Sequence, residues 1–248
     1  MTLPSSPHSS GRVALVTGGG RRIGAAMARA LGTRGYAVAV HYNASAAEAD
    51  VISSEIVAAG GTARTFAADL RDAPAAAQLV GAVVASFGRL DLLVNSAASM
   101  MRTPMGEVTI EEWDDIFALN LRAPFFAAQA AAAHMEQGGV IVNMADLAAF
   151  ESWPAYVPHG IAKAGVVHLT RSLARALAPR IRVNAIAPGV VLLPEGWDEG
   201  SSERLASTTP LGRHGSPDDV VKALFYLLDA DFVTGEVLMV DGGRRVRS

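Results

Sequence analysis

The first residues that could do chemistry are glycines. Thr17–Gly24 reads TGGGRRIG and follows a short apolar run, RVALVT at 12–17. A strand that runs into Gly18, Gly19 and Gly20, then into a helix beginning near Arg22, can turn tightly and bring backbone N–H groups against a pyrophosphate. The helix start adds unsatisfied donors and the positive end of the dipole. Strand, glycine loop and helix in that order are a much stronger sign of a dinucleotide than glycines alone. The second apolar run ends in HYNAS, 41–45. An acidic side chain there would bind a ribose 2′-hydroxyl and select NAD. None is present before Glu48. His41, Asn43 and Ser45 are polar without negative charge, and Arg21 and Arg22 add positive charge nearby. The pattern predicts NADP(H), as NADPH or NADP. There is no cysteine, which excludes disulfides, thiol catalysis and thiolate metal sites, and no metal site is expected.

The elements that must position these residues alternate along the whole chain. RVALVT (12–17), YAVAVHY (36–42), TARTFAAD (62–69), LDLLVN (90–95), GVIVNMA (139–145), RVNAIAP (182–188) and EVLMVDGG (236–243) read as strands. They are nearly continuous in apolar residues, as strands covered on both faces should be. Helix candidates lie near 22–33, 45–59, 73–87, 111–136, 155–178 and 217–229. The βαβα order predicts an α/β fold, a parallel sheet doubly wound with helices, in one domain over 1–248. The irregular stretch 190–215, which carries Trp197, follows a strand. It reads either as a lid over a substrate or as an ordinary surface connection. The net charge of −3 gives no basic field for nucleic acid or anionic lipid. No run reaches the roughly 18 charge-free apolar residues of a membrane span. The polar start, Met1 to Gly11, lacks the apolar region of a signal peptide, so the expected location is cytoplasmic.

With those residues in place, the chain resembles the short-chain dehydrogenase/reductase family over nearly its whole length. Thr17 through Gly24 stand at that family's glycine loop, with Arg22 where its middle glycine usually sits. NSAA at 95–98 stands at its NNAG, Asn120 in ALNLRAPFF at the asparagine of its catalytic set, and PGVV at 188–191 at the segment along the nicotinamide. The resemblance implies a seven-stranded Rossmann sheet in the order 3-2-1-4-5-6-7. It implies cofactor contacts at Gly18, Gly20, Arg22, Ile23, Gly24, His41, Tyr42, Asn43 and Ser45. It adds Asp69 and Leu70 beside the adenine, then Asn95, Ala97, Lys163, Pro188, Gly189 and Val190. It also implies that the helices near 111–136 and 155–178 pair between subunits, giving a homotetramer.

Within the family the chain is most similar to the pteridine reductases. Arg21–Arg22 replace a loop glycine, Ser45 stands where those enzymes hold the 2′-phosphate, and Asp146 stands where most of the family has a serine. That likeness implies a substrate pocket with Ser99, Tyr156 and, in the lid, Trp197. Met100 takes the place of a phenylalanine that stacks on the substrate. At the remaining catalytic position the resemblance breaks: His159 stands where the family has a tyrosine, four residues before Lys163. An imidazole is a capable general acid. Lys163 disfavours its charged form and Asp146 favours it, so an Asp146–His159 pair could donate a proton. Two readings follow. One is an NADPH-dependent reductase of a pterin-like heterocycle or a small carbonyl, with Asn120, Asp146, His159 and Lys163 as its catalytic set. The other is a cofactor-binding protein with little turnover and a regulatory or interaction role.

Overall fold

The valine-, leucine- and alanine-rich runs form strands because branched side chains suit a pleated surface that is covered on both sides. The computed structural model describes residues 11–191, 206, 207 and 209–246. Its seven strands are β1 (Val13–Val16), β2 (Ala37–Tyr42), β3 (Thr62–Ala67), β4 (Leu92–Asn95), β5 (Gly139–Met144), β6 (Ile181–Pro188) and β7 (Val237–Val240). All pair in parallel, in the order β3-β2-β1-β4-β5-β6-β7, as expected. The helices are α1 (Arg22–Thr33), α2 (Ala46–Ala58), α3 (Ala75–Phe87), α4 (Ile110–Phe117), α5 (Ala123–His134), α6 (Val157–Leu177) and α7 (Pro217–Asp229).

Alternation along the strands divides the core between two faces. Leu15, Leu93, Ile141 and Val183 pack with residues of α3, α5 and α6. Val16, Val94, Val142 and Ile186 face the other way, toward α1, α2 and α7. Truncating one such buried leucine or isoleucine to alanine costs about 2–5 kcal/mol, whereas losing a helix cap costs about 1 kcal/mol. The sheet is therefore the rigid platform, and the caps only set where helices begin. Thr109 opens α4 and Ser216 opens α7, each through a reciprocal capping box, with Glu112 and Asp219.

The chain moves outward from β1 to β3, then returns to place β4 on the other side of β1. That reversal opens a crevice at the carboxyl edge, where open α/β sheets hold ligands. The loops after β1, β4, β5 and β6 all reach it.

Two details depart from the sequence reading. The single helix expected over 111–136 is interrupted by a π-helical turn at Ala118–Arg122, between α4 and α5. Pro124 in the first turn of α5 has no N–H to bond back into the preceding turn. The last strand stops at Val240 because Gly242 and Gly243 take φ values of +64° and +84°, and Asp241 accepts from the amides of Gly243 and Arg245. The segment Ile110–His134 is long and apolar enough to cross a membrane by length and composition, although it carries charges, Arg122 at its middle among them, and is no charge-free run. Half of its most apolar stretch is buried in the fold, and Ala127, Ala128 and Ala131 belong to the core beneath the sheet.

Candidate active site

Thr17 ends β1 and ties it to β4. Its hydroxyl accepts from the amides of Ser96 (2.9 Å) and Ala97 (3.0 Å) and donates to the Val94 carbonyl (3.3 Å). The loop that follows leaves no room for a side chain at Gly18 or Gly24. A Cβ on Gly24 would lie 2.2 Å from the Gly18 carbonyl oxygen, and one on Gly18, at φ +63°, would lie 3.0 Å from Ala97 Cα. Arg22 holds a left-handed φ of +52°, the one positive φ of a non-glycine among the described residues. This matches its place where a glycine is usual, and such strain gathers at functional sites. A bare backbone turn ahead of a twelve-residue helix fits a pyrophosphate.

His41 does something the sequence did not suggest. It is buried, its Nδ1 accepts from the Gly18 amide at 3.0 Å, and its Nε2 donates to the Ala68 carbonyl at 3.1 Å. It braces the loop from beneath rather than presenting a ring to a ligand. Asn43 is exposed, Tyr42 and Ser45 are half-buried, and Ser45 sits at the start of α2 with no bond from its hydroxyl to the helix. Arg21 lies 4.0 Å from Glu48 in the first turn of that helix. Asp69 accepts from the Arg71 amide and lies 3.5 Å from its guanidinium, while Arg71 also bonds Asp115 of α4. Leu70 beside it is buried. Asn95 donates to Asn143 (2.9 Å), and Asn143 donates to Thr170 on α6 (2.9 Å), so the ends of β4 and β5 are locked together. On the far side, the Gly189 amide donates to Val240, and Val190 accepts from the Gly215 amide. Residues 192–205 and 208 of the expected lid, Trp197 among them, lie outside the described residues.

The four residues expected to be catalytic converge. His159 and Lys163 lie one turn apart on α6, both buried. The π-helical turn carries Asn120, whose Oδ1 accepts from the Ser99 amide (2.9 Å) and whose Nδ2 donates to the Ser99 carbonyl (2.8 Å). Asp146 follows β5 and lies with Oδ2 2.7 Å from His159 Nε2, while its Oδ1 accepts from the Ala148 amide at 2.8 Å. The other ring nitrogen, Nδ1, is 3.1 Å from the Ser99 carbonyl oxygen and 3.4 Å from Asn120 Nδ2. Lys163 donates to the Met144 carbonyl at 2.8 Å. Burial pushes the Lys163 ammonium down from its usual range, opposed by the Asp146 charge. Burial alone would raise the Asp146 carboxyl, but the His159 hydrogen bond and the Lys163 charge together hold it below the usual carboxylate range.

The surrounding pocket is partly as expected. Tyr156 caps the start of α6 and lies edge-on to Trp153 at 6.2 Å between ring centroids. Met100 is exposed, and the Ser99 hydroxyl is a buried oxygen without a hydrogen-bond partner. Thr103 was not singled out from sequence. It is buried, bridges to Tyr156, and its hydroxyl also lacks a partner. Nothing in its sequence surroundings distinguishes it from other threonines.

A doubly wound parallel sheet with a glycine cradle at β1, and an Asn–Asp–His–Lys set gathered from the π-helical turn, the end of β5 and α6, defines a dinucleotide-dependent oxidoreductase. A family model described as enoyl-(acyl carrier protein) reductase matches residues 19–245. An uncharacterised oxidoreductase of Methylorubrum extorquens is 41% identical over 95% of this chain and 98% of its own. The D-threitol dehydrogenase of Mycolicibacterium smegmatis is 38% identical over 96% and 94%. Among solved structures, a dehydrogenase/reductase from Sinorhizobium meliloti superposes with a TM-score of 0.89 at 38% identity, over 95% of each chain. The chain belongs to the short-chain dehydrogenase/reductase family, whose members use NAD(P).

Proposed function

We propose that the chain is an NADPH-dependent reductase of a pterin-like heterocycle or a small carbonyl. A dihydronicotinamide held along Pro188–Val190 would supply the hydride, and the Asp146–His159 pair the proton. The observation that carries this reading is the 2.7 Å contact of Asp146 with His159, set one helical turn from a buried Lys163. A carboxylate and an imidazole in hydrogen-bond contact can store and release a proton near neutral pH. Lys163 is assigned to the nicotinamide ribose, and Asn120 to ordering the proton path. Ser99, Met100 and Tyr156 line the substrate side. The cofactor preference rests on Ser45 at the start of α2 and on Arg21 and Arg22 at the start of α1, with no acid before Glu48.

The test is NADPH oxidation, followed at 340 nm, with a panel of dihydropterins, quinones and ketones. Turnover of a dihydropterin supports the closer kinship with pteridine reductases, and turnover of ketones alone removes it. The second reading, a cofactor-binding protein with little turnover, is favoured by one fact: both ring nitrogens of His159 already have partners. NADPH binding without oxidation of any member of the panel would establish it. We also assign the protein to the cytoplasm and to a homotetramer, the first to be checked by cell fractionation and the second argued in the Discussion.

A further inference from the structure

We infer that Asp146 is the member of the pair that meets the substrate, and that His159 acts on the reaction only through it. The two side chains differ sharply in reach: Asp146 keeps 23% of its side-chain surface and His159 keeps 2%. Asp146 lies just beyond β5, on the carboxyl edge of the sheet where ligands sit. His159 lies behind it on α6, with Nε2 against the carboxylate and Nδ1 against the Ser99 carbonyl. An imidazole is also shorter than the phenol it replaces, and this one is almost wholly covered. His159 is therefore a positioning residue. It orients the carboxyl group and shares the proton that the group delivers.

The proton balance is simple. In the charged pair the ring carries a proton on each nitrogen and the carboxylate carries none. As the substrate gains a hydride, the Nε2 proton crosses to Oδ2 and a carboxyl proton passes to the substrate heteroatom. The substrate has then gained two electrons and two hydrogens. The pair has lost one proton and is left as a neutral ring and a carboxylate. The surroundings accept either neutral form of the ring: Nδ1–H can donate to the Ser99 carbonyl, and a bare Nδ1 can accept from Asn120. The missing proton returns from solvent at Asp146, the less buried partner. Lys163 is the other charged group acting on this carboxyl.

The catalytic half of this inference rests on the reductase reading, and its geometric half does not. The geometric test uses the full chain labelled with carbon-13 at aspartate carboxyls and nitrogen-15 in histidine rings, with a soluble gadolinium chelate added. The Asp146 carboxyl signal, assigned by Asp146→Asn, should broaden, and the His159 ring signals should not. Equal broadening of both, or broadening of the ring alone, overturns the inference. The catalytic test compares Asp146→Asn with His159→Gln, whose amide can still donate to the carboxylate, using whichever panel member the parent reduces. Asp146→Asn should lose about 10²–10⁴-fold in kcat. Compared with the parent, each at its own pH optimum, His159→Gln should stay within about tenfold, with KM little changed and the high-pH limb moved to lower pH, because the carboxyl, which the Lys163 charge holds low, then stores the proton alone. A loss in His159→Gln as large as in Asp146→Asn overturns the inference. NADPH affinity, unchanged in both variants, shows that they have folded. If the parent oxidises no NADPH, the reductase reading fails by itself, and the gadolinium experiment still decides which side chain faces the crevice.

Discussion

His41 Nδ1 accepts a hydrogen bond from the Gly18 amide at 3.0 Å, so the loop that would hold a pyrophosphate is braced by a titratable ring. Nε2 is committed to the Ala68 carbonyl, and only the neutral ring can accept at Nδ1. Burial lowers the pKa of this imidazole, although the Ala68 bond and the Asp69 charge oppose it. A depressed folded value means that the ring contributes stability above the ordinary histidine value of about 6.5. That contribution is lost as pH falls through the depressed value. NADPH affinity and the thermal midpoint should therefore decline together in the acid range below about pH 6.5. In His41→Gln, which cannot titrate, affinity should be lower at neutral pH and its dependence on pH shallower. Calorimetry at a series of pH values checks this, and an affinity in the parent that is flat through the acid range would count against it.

Most of this arrangement is legible in the sequence, and the reasons are local. Strand runs such as Val13–Val16 and Leu92–Asn95 are apolar on both faces, which only a doubly covered parallel sheet can satisfy. The glycine loop declares itself because no other residue fits at Gly24. What could not be read depends on contacts between distant residues. The end of a strand predicts a place for His41 beside the ligand, but its role is set by Gly18 and Ala68, 23 and 27 residues away. The sequence pairs Asp146 with His159, and the structure brings the two into contact. Which of them is exposed follows from how α6 packs against the loop after β5, and no spacing encodes that. Thr103 is invisible in sequence for the same reason.

Ser45→Asp should reverse the cofactor preference. The side chain stands at the start of α2 without a bond to the helix, so it is free to meet a ligand. A carboxylate there repels a 2′-phosphate and accepts from ribose hydroxyls. It also suits a helix N-terminus, so the change should cost little stability. Titration calorimetry with NADPH and NADH should show the parent preferring the first and the variant the second. Tighter NADH binding by the parent would remove the basis of the assignment.

Gly24→Ala should destroy cofactor binding where Gly60→Ala does not. The new Cβ at Gly24 meets the Gly18 carbonyl oxygen at 2.2 Å, inside any permitted contact, and the oxygen belongs to backbone that cannot swing aside. The loop must open or α1 must shift away from it. A Cβ at Gly60 meets nothing within 4 Å and faces only the strain of φ +85°, a cost of about 1–2 kcal/mol. NADPH affinity should thus fall by more than about tenfold, equivalent to about 1.4 kcal/mol, in the first variant only. Intrinsic fluorescence quenching by NADPH measures both.

The last prediction concerns assembly. Ile110, Trp113 and Phe125 on α4 and α5, with Val157 and Ile161 on α6, keep between 38% and 76% of their surface in the single chain. Trp113 stacks on Phe117 at 4.5 Å, and Phe125 meets Phe126 edge-on at 5.1 Å, so this face carries ordered rings as well as loose side chains. Beside Phe125 and Phe126 a cavity of about 690 Å³ runs between α4, α5 and α6, with Leu121 and Leu169 in its wall. Arg71, Arg122, Asp114 and Asp115 surround it. An apolar centre with a charged rim is the usual anatomy of a subunit contact. Two such helix pairs, one from each subunit, would cover it as a four-helix bundle. Phe125→Asp would place a charge in that contact, where leaving it unpaired costs several kcal/mol. The same change leaves the sheet core untouched, because Phe125 points away from it. Light scattering at micromolar concentration should give a multiple of the chain mass for the parent and a smaller species for Phe125→Asp, with circular dichroism unchanged. A monomeric parent would mean that these rings serve only to cover the helices beneath them, and the tetramer would have to be abandoned.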